Sequence, residues 1–552
     1  MNTRPMIVMS LLGSLVATAC AASATPRPIG GAPRTGEYAA PTAAPAWTQP
    51  VEAMPVTEAP YAQPDAYQPA PLPTNAPNVA SPIGAAPAAD GSTGGYWSTP
   101  VPDAPLPLVQ VNPFIDTRED HLSTFAIDVD TASYTLARQY VQSGQLPPPD
   151  TVRVEEFVNY FNQGYAQPAG VAFGLFADAA PSPFTEDGTV IVRFGVQGYS
   201  VPGYARKPAS LTFVVDVSGS MADGNKMELA RQSLRLLLDQ LRADDTVAIV
   251  AYSSNAWVLL EPTIASDRGA IEAAIASLTP LQSTNVAEGL ALGYQTANYT
   301  FRGDRTNRVI LLSDGVANVG ATSPDAILEQ VRQYRDLGIT LTTVGVGMGN
   351  YNDTLLEQLA NDGDGNYMYI DDENEARAQF VRDVTANLQV IARDAKIQVD
   401  FNPDTVAAYR QLGYENRAVA DSDFRNDTVD AGEVGAGHTV TALYAVQLRP
   451  GAQGRLATLQ LRWQDPETGE VREANGNVNT FDVAGSFDQT SPRYQLAVAV
   501  AQYAELLRHS GFADPWTWRT LAQSASQIAL YDDPDVYEFA QLVQTAARLS
   551  GH

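Results

Sequence analysis

Across 552 residues the chain carries one cysteine and four histidines. The single cysteine, Cys20, excludes an intrachain disulfide, so no covalent staple holds the fold. The four histidines, His121, His438, His509 and His552, all lie outside the stretch from 209 to 391. A zinc centre or an imidazole-served nucleophile in that stretch would want them there. Positive charge is scarce as well. Lys and Arg number 34 against 62 Asp and Glu, a net charge of −28, which argues against nucleic acid as a partner, because a phosphate backbone needs a basic face. After residue 20, no run is long and apolar enough to cross a bilayer as a helix. What the chain does have is 45% hydrophobic residues, ample for a large core.

Residues 1–20, MNTRPMIVMSLLGSLVATAC, place Arg4 before an apolar segment from Met6 to about Val16, then Ala17, Thr18 and Ala19 before Cys20. A basic start, a short apolar core and small residues before the cut make a secretory signal. The stretch resembles a bacterial lipoprotein signal, which implies that Cys20 is lipidated. Ordinary cleavage after Ala19 is the alternative. The expected location is extracytoplasmic, in the bacterial cell envelope, with the membrane reached through the lipid anchor alone (outer membrane or cell surface). Residues 21–110 hold 19 of the 38 prolines and no lysine. Such a segment buries too little apolar surface to fold and is expected to be a disordered tether.

Order is expected from about Asn112. Residues 122–161 predict a strand, a helix ending near Gly144, a proline turn and a second helix striped by Val152, Val154, Phe157, Val158 and Phe161. Two strands follow, at 170–178 and 188–199. From Ala209 the pattern alternates: strand 210–216, helix 225–242, strands 246–253 and 257–263, helices near 267–278 and 286–298, strand 308–314, helix 324–337, strand 340–347, helix 352–361, strand 366–370 and a final helix from 373 to about 392. That alternation predicts an α/β fold, a doubly wound and mostly parallel sheet. After Ala395 strands return at 395–402, 438–448, 455–464 and 479–483, and helices close the chain near 492–508 and 534–549. The expected division is a signal at 1–20, a linker at 21–110, an α+β region at 111–200, the α/β domain at 205–392 and a β-rich, then helical region at 393–552. The strands near 170–200 and 395–485 suggest a β-sandwich into which the α/β unit is inserted.

The α/β unit also carries the chemistry. In LTFVVDVSGSM (211–221) a buried strand runs into Asp216, Ser218 and Ser220. LLSDG (311–315) supplies Asp314 at a second strand end, and LQSTNVAEGL (281–290) supplies Thr284 on a loop entering a helix. Ligands of an open parallel sheet gather at the carboxyl ends of its strands. All five donors are hard oxygens, which selects Mg²⁺, Mn²⁺ or Ca²⁺ over zinc or copper. Taken alone, D-x-S-x-S also suits a helix N-cap. A phosphate loop would need G-x-x-x-x-G-K-[ST], which is missing.

D-x-S-x-S, a downstream threonine and a later aspartate in S-D-G resemble the metal-ion-dependent adhesion site of von Willebrand factor type A domains, over about 209–391. The resemblance implies that Ser218, Ser220 and Thr284 contact a metal through their hydroxyls. Asp216 and Asp314 would hold it directly or through water, and an open position would remain for an acidic residue of a partner. The flanks NPF (112–114), STFAIDVDTASY (123–134), GQLPPPDTVRVEE (144–156), YENR (414–417) and GAGHTVTALY (435–444) resemble bacterial envelope proteins of the YfbK type. The expected function is cation-dependent capture of an unidentified protein that presents an acidic residue, as an adhesion or scaffold module without catalysis. A metal-assisted hydrolase using the same ion is the alternative, and an ion with a purely structural role is a third. Among weaker features, Asp128 and Asp130 echo the Asp216 motif; a strand end leading into a capped helix is the expected reading, and a second cation site is the alternative. Arg302-Gly303-Asp304 reads as a loop, NDGDGN (361–366) as a turn and VGVGMG (344–349) as a strand end.

Overall fold

The computed structural model describes residues 111–552, except 282, 316–323, 348–352, 383 and 529–532, together with Arg27–Pro28. Cys20 and most of the proline-rich segment lie outside the described residues.

The strand Ala209–Asp216 is buried along its whole length, as its apolar run demands of a strand covered on both faces. Thr246–Tyr252 and Thr306–Ser313 pair with it, both parallel. The full sheet runs Tyr367–Ile370, Ile339–Val346, Thr306–Ser313, Ala209–Asp216, Thr246–Tyr252, Ala256–Ile264, and only the last is antiparallel to its neighbour. Helices Lys226–Gln240 and Arg268–Ser277 share one core with Leu211, Phe213 and Val215. Helix Val286–Tyr299 shares the opposite core with Val214, Tyr252 and Leu311. The sheet is therefore doubly wound. The chain steps outward to Thr246–Tyr252 and later returns on the other side of Ala209–Asp216, so the order reverses beside that strand.

The flanking segments build a second body of two antiparallel sheets. One joins Phe173–Pro181, Val190–Gly198, Thr439–Leu448, Val406–Leu412 and Ile115–Asp116. The other joins Val390–Phe401 to Arg455–Gln464 on one side and to Gly432–Gly435 and Leu122–Ala126 on the other, with Val471–Asn479 outermost. Phe194, Val196 and Tyr444 of the first sheet share a core with Ile397, Val399, Leu459 and Leu461 of the second. The far face of the first sheet, with Ile191, Leu443 and Ala445, is covered by helices Ala132–Gln142, Val154–Tyr160, Pro492–Leu507, Trp518–Ile528 and Pro534–Leu549.

The expected insertion is present: Val190–Gly198 pairs with Thr439–Leu448, and the α/β unit lies between Gly198 and Val390. Both connections are held at one turn. The Gly198 amide donates to the His438 carbonyl at 2.9 Å, and the Ala436 amide donates to the Gln389 carbonyl at 2.8 Å.

Three expectations need correction. The last helix of the α/β unit does not run unbroken to 392. It is Glu373–Arg377, a π-turn Ala378–Arg382 and Val384–Leu388. The next strand already begins at Val390, because Val390 and Ala392 pair with Gly435 and Val434, partners that local periodicity cannot show. The strand expected at 479–483 is instead Val471–Asn479, followed by a 3₁₀ turn at Thr480–Asp482. As an edge strand it has one neighbour and a mostly polar sequence, so no apolar run marks it. Helix Trp518–Ile528 and strand Val406–Leu412 were not anticipated. Among the described residues no helix is long and apolar enough to cross a membrane.

Candidate metal centre

Asp216 ends the central strand and is fully buried. A carboxylate in such a place needs donors, and the chain supplies two. Its Oδ1 accepts from the Ser218 amide at 2.8 Å and its Oδ2 from Ser313 Oγ at 2.9 Å. Burial raises the Asp216 pKa, the bonds from Ser218 and Ser313 pull it back, and nearby Asp314 raises it again. Ser218 Oγ lies 3.0 Å from Ser220 Oγ, and Ser220 Oγ donates to Asp314 Oδ1 at 3.0 Å. Asp216, Ser218, Ser220 and Asp314 thus form one hydrogen-bonded chain at the carboxyl ends of two adjacent strands, beside the strand where the order reverses.

Thr284 is brought toward this rim by its loop and makes no hydrogen bond with the other four residues. The Leu281 amide donates to the Val217 carbonyl at 2.6 Å, and Ser253 Oγ donates to the Ser283 carbonyl at 3.3 Å. Ser283 adopts φ +74°, which turns the chain before Thr284. Thr284 itself is half-buried.

One member of the site escaped the sequence reading. Lys226 opens the helix Lys226–Gln240, and its Nζ donates to Asp314 Oδ2 at 2.9 Å. Both side chains are buried. A lysine just after a Gly-Asn turn reads as an ordinary solvated helix start. Its rarity was the available signal, since only Lys207, Lys226 and Lys396 occur in the whole chain. The oxygens suit a hard divalent ion: two hydroxyls and the Asp314 carboxylate lie within hydrogen-bond reach in sequence, the Asp216 carboxylate joins them through the Ser218 amide, and no sulfur or imidazole is among them.

The echo at Asp128 and Asp130 is built differently. Arg417 donates from Nε to Asp128 Oδ2 at 3.0 Å and from its terminal nitrogen to Asp130 Oδ2 at 3.4 Å. The Tyr367 amide donates to Asp130 Oδ1 at 2.9 Å, so Asp130 ties the two bodies together. Asp364, within the NDGDGN turn, meets Asp430 and Glu433, with carboxylate oxygens within 4.8 Å of one another. Arg335 offsets part of that charge, 2.7 Å from Asp430 and 3.6 Å from Asp364. Burial, then Asp430, pushes the Asp364 pKa up to about 7. Arg302, Gly303 and Asp304 are exposed in the loop before Thr306–Ser313.

Comparison with known proteins identifies the domain family. The family model described as von Willebrand factor type A domain matches residues 210–384. The model described as uncharacterized protein YfbK, C-terminal, matches 386–454 and 449–549, and one described as von Willebrand factor matches 107–192. YfbK of Escherichia coli (strain K12) is 34% identical over 464 residues, which is 79% of this chain and 80% of that protein. The chain belongs to the YfbK family of von Willebrand factor type A domain proteins. The inserted unit of this YfbK-family chain is its type A domain, a domain that typically mediates protein–protein interaction. Inter-alpha-trypsin inhibitor heavy chain H3 from Mesocricetus auratus is 26% identical over 279 residues, covering 46% of this chain and 31% of that protein. Among solved structures, a von Willebrand factor type A protein from Catenulispora acidiphila aligns with TM-score 0.40 at 16% identity, covering 71% of this chain and 89% of that one.

Proposed function

We propose that this chain is a cation-dependent protein-binding module of the bacterial cell envelope, anchored by lipid on Cys20 and held off the membrane by residues 21–110. The observation that carries the reading is the single hydrogen-bonded chain of Asp216, Ser218, Ser220 and Asp314 at the rim of the parallel sheet. Together with Thr284 these residues would hold Mg²⁺, or Ca²⁺ or Mn²⁺ in its place. Such an ion supplies an electrophilic position that an aspartate or glutamate of a partner protein completes. The protein's own part is to fix the donors. Ser313 and the Ser218 amide orient Asp216, while Ser220 and Lys226 each take one oxygen of Asp314.

The test is capture of envelope proteins by immobilised full-length protein, with and without chelator. Capture should be lost with chelator, with Asp216→Ala and with Thr284→Ala, and no variant should turn over a substrate. Divalent-dependent hydrolysis by pure wild-type protein, abolished by Asp216→Ala, would overturn the reading in favour of a hydrolase. Cys20→Ala should move the protein from the membrane fraction to the soluble one, and retention in the membrane fraction would refute the lipid anchor.

A further inference from the structure

The two oxygens of Asp314 are divided between two donors. Oδ1 faces the hydroxyl chain through Ser220 at 3.0 Å, and Oδ2 is held by the Lys226 ammonium at 2.9 Å. Lys226 is only 8% exposed and Asp314 only 4%. The path of the lysine stem is built into the backbone. Gly347, just past the end of strand Ile339–Val346, has φ +74°, and a Cβ there would lie 2.5 Å from Lys226 Cγ and 3.1 Å from its Cδ. A side chain at 347 would therefore evict the lysine. The ammonium takes Oδ2 of Asp314, the oxygen that Ser220 leaves.

The hydrogen-bonded set thus contains two carboxylates and one ammonium. A divalent ion added to two carboxylates alone gives a neutral site, with no electrostatic demand for a further anion. The same ion added to two carboxylates and a fixed ammonium leaves one positive charge in excess. In a buried setting that excess is expensive until an anion cancels it. We infer that Lys226 is the positioning residue that makes this site a carboxylate trap: it weakens the hold on the ion alone and makes a partner carboxylate the group that completes the charge. This inference rests on the ion site proposed above. By linkage, whatever tightens carboxylate binding to the loaded site tightens ion binding by the same factor. The metal and the acidic ligand should therefore bind as a pair.

The experiment is calorimetric titration of the full-length protein with magnesium chloride, at fixed ionic strength, with and without sodium acetate as the carboxylate probe. For the wild type, acetate should tighten Mg²⁺ binding. For Lys226→Met, Mg²⁺ binding without acetate should tighten by roughly tenfold or more, since a positive charge a few ångströms away has gone, and the acetate effect should vanish. The ion-free variant should melt at a lower temperature, having lost the partner of buried Asp314. Loss of a merely structural lysine would weaken ion binding, so a gain in ion affinity beside a loss of acetate response separates the two roles. Lys226→Gln keeps a donor without charge and should behave like Lys226→Met, which guards against a folding failure in the latter. Lys226→Arg should restore the acetate response.

Unchanged or weaker Mg²⁺ binding in both neutral variants, while Asp216→Ala still abolishes it, would overturn the inference and leave the ion site standing. Absence of Mg²⁺, Ca²⁺ and Mn²⁺ binding by the wild type would overturn both.

Discussion

Two strand ends in this molecule are spelled almost alike, FAIDVDTAS at 125–133 and FVVDVSGSM at 213–221, and their carboxylates meet different fates. At the first, one guanidinium lies across both Asp128 and Asp130, and a backbone amide takes a further oxygen of Asp130. Burial, then the charge of Asp128, raises the Asp130 pKa, and Arg417 pulls it back. At the second, an ammonium touches only Asp314, and the other contacts within the set come from neutral hydroxyls and an amide. Arginine is a flat fork that closes two carboxylates at once, whereas lysine is a point charge that closes one. The same spelling thus meets a two-pronged counter-charge at one strand end and a single point charge at the other.

That contrast can be broken in several ways. The largest effect should come from Arg417→Met, which strands Asp128 and Asp130 in the seam between the bodies. Losing one partner of a buried ion pair costs about 3–5 kcal/mol, measurable by urea unfolding. A cost near that of a surface substitution would mean that Arg417 does not close the first strand end.

Next comes pH. Glu155, buried behind the first strand end and accepting from the Tyr414 amide at 2.9 Å, is pushed up to about 7 by burial and then by Glu415 and Asp128, from an ordinary value of 4.5. The folded state therefore binds this proton more tightly than the unfolded one. Its stabilising contribution is full below about 4.5 and is lost as pH rises through 7. Unfolding free energy measured from pH 4.5 to 8 should fall by about 1–3 kcal/mol through this group. Glu155→Gln should flatten that slope, and an unaltered slope would show that Glu155 is ionised in the fold.

Asp216→Asn should abolish magnesium binding while Asp128→Asn leaves it unchanged. Equal losses from the two would erase the distinction between the strand ends. The smallest stability effect belongs to Thr284→Ala. Thr284 is half-buried and its loop is held by backbone bonds, so the change should stay within about 0.5 kcal/mol while magnesium binding weakens.

Much of the α/β unit was legible because its strands are continuous apolar runs and its helices repeat every three or four residues. The expected strand 210–216 and helix 286–298 correspond to Ala209–Asp216 and Val286–Tyr299. Asp216, Ser218, Ser220 and Asp314 were legible as oxygen donors at strand ends, and the structure joins them by hydrogen bonds. Features defined by distant partners were not legible. Lys226 meets Asp314 across 88 positions and Arg417 meets Asp128 across 289, so neither counter-ion leaves a local mark. Strand Val471–Asn479 is polar because its outer edge has no neighbour, and the early start at Val390 depends on Gly435. Thr284 was found by motif, yet its approach depends on the Leu281 bond to Val217, which no spacing rule contains.

The turn that holds Gly198 and Gln389 has a mechanical consequence. Under the proposed function, a partner held at the rim and pulled away would load the inserted unit through both of its connections, which enter the sandwich side by side. The tension is therefore shared, and it arrives on Val190–Gly198 and Val390–Phe401, strands that each have neighbours on both sides. Neither strand can be peeled from a sheet edge one bond at a time. The joint is suited to bear a pull that reaches it through the inserted unit.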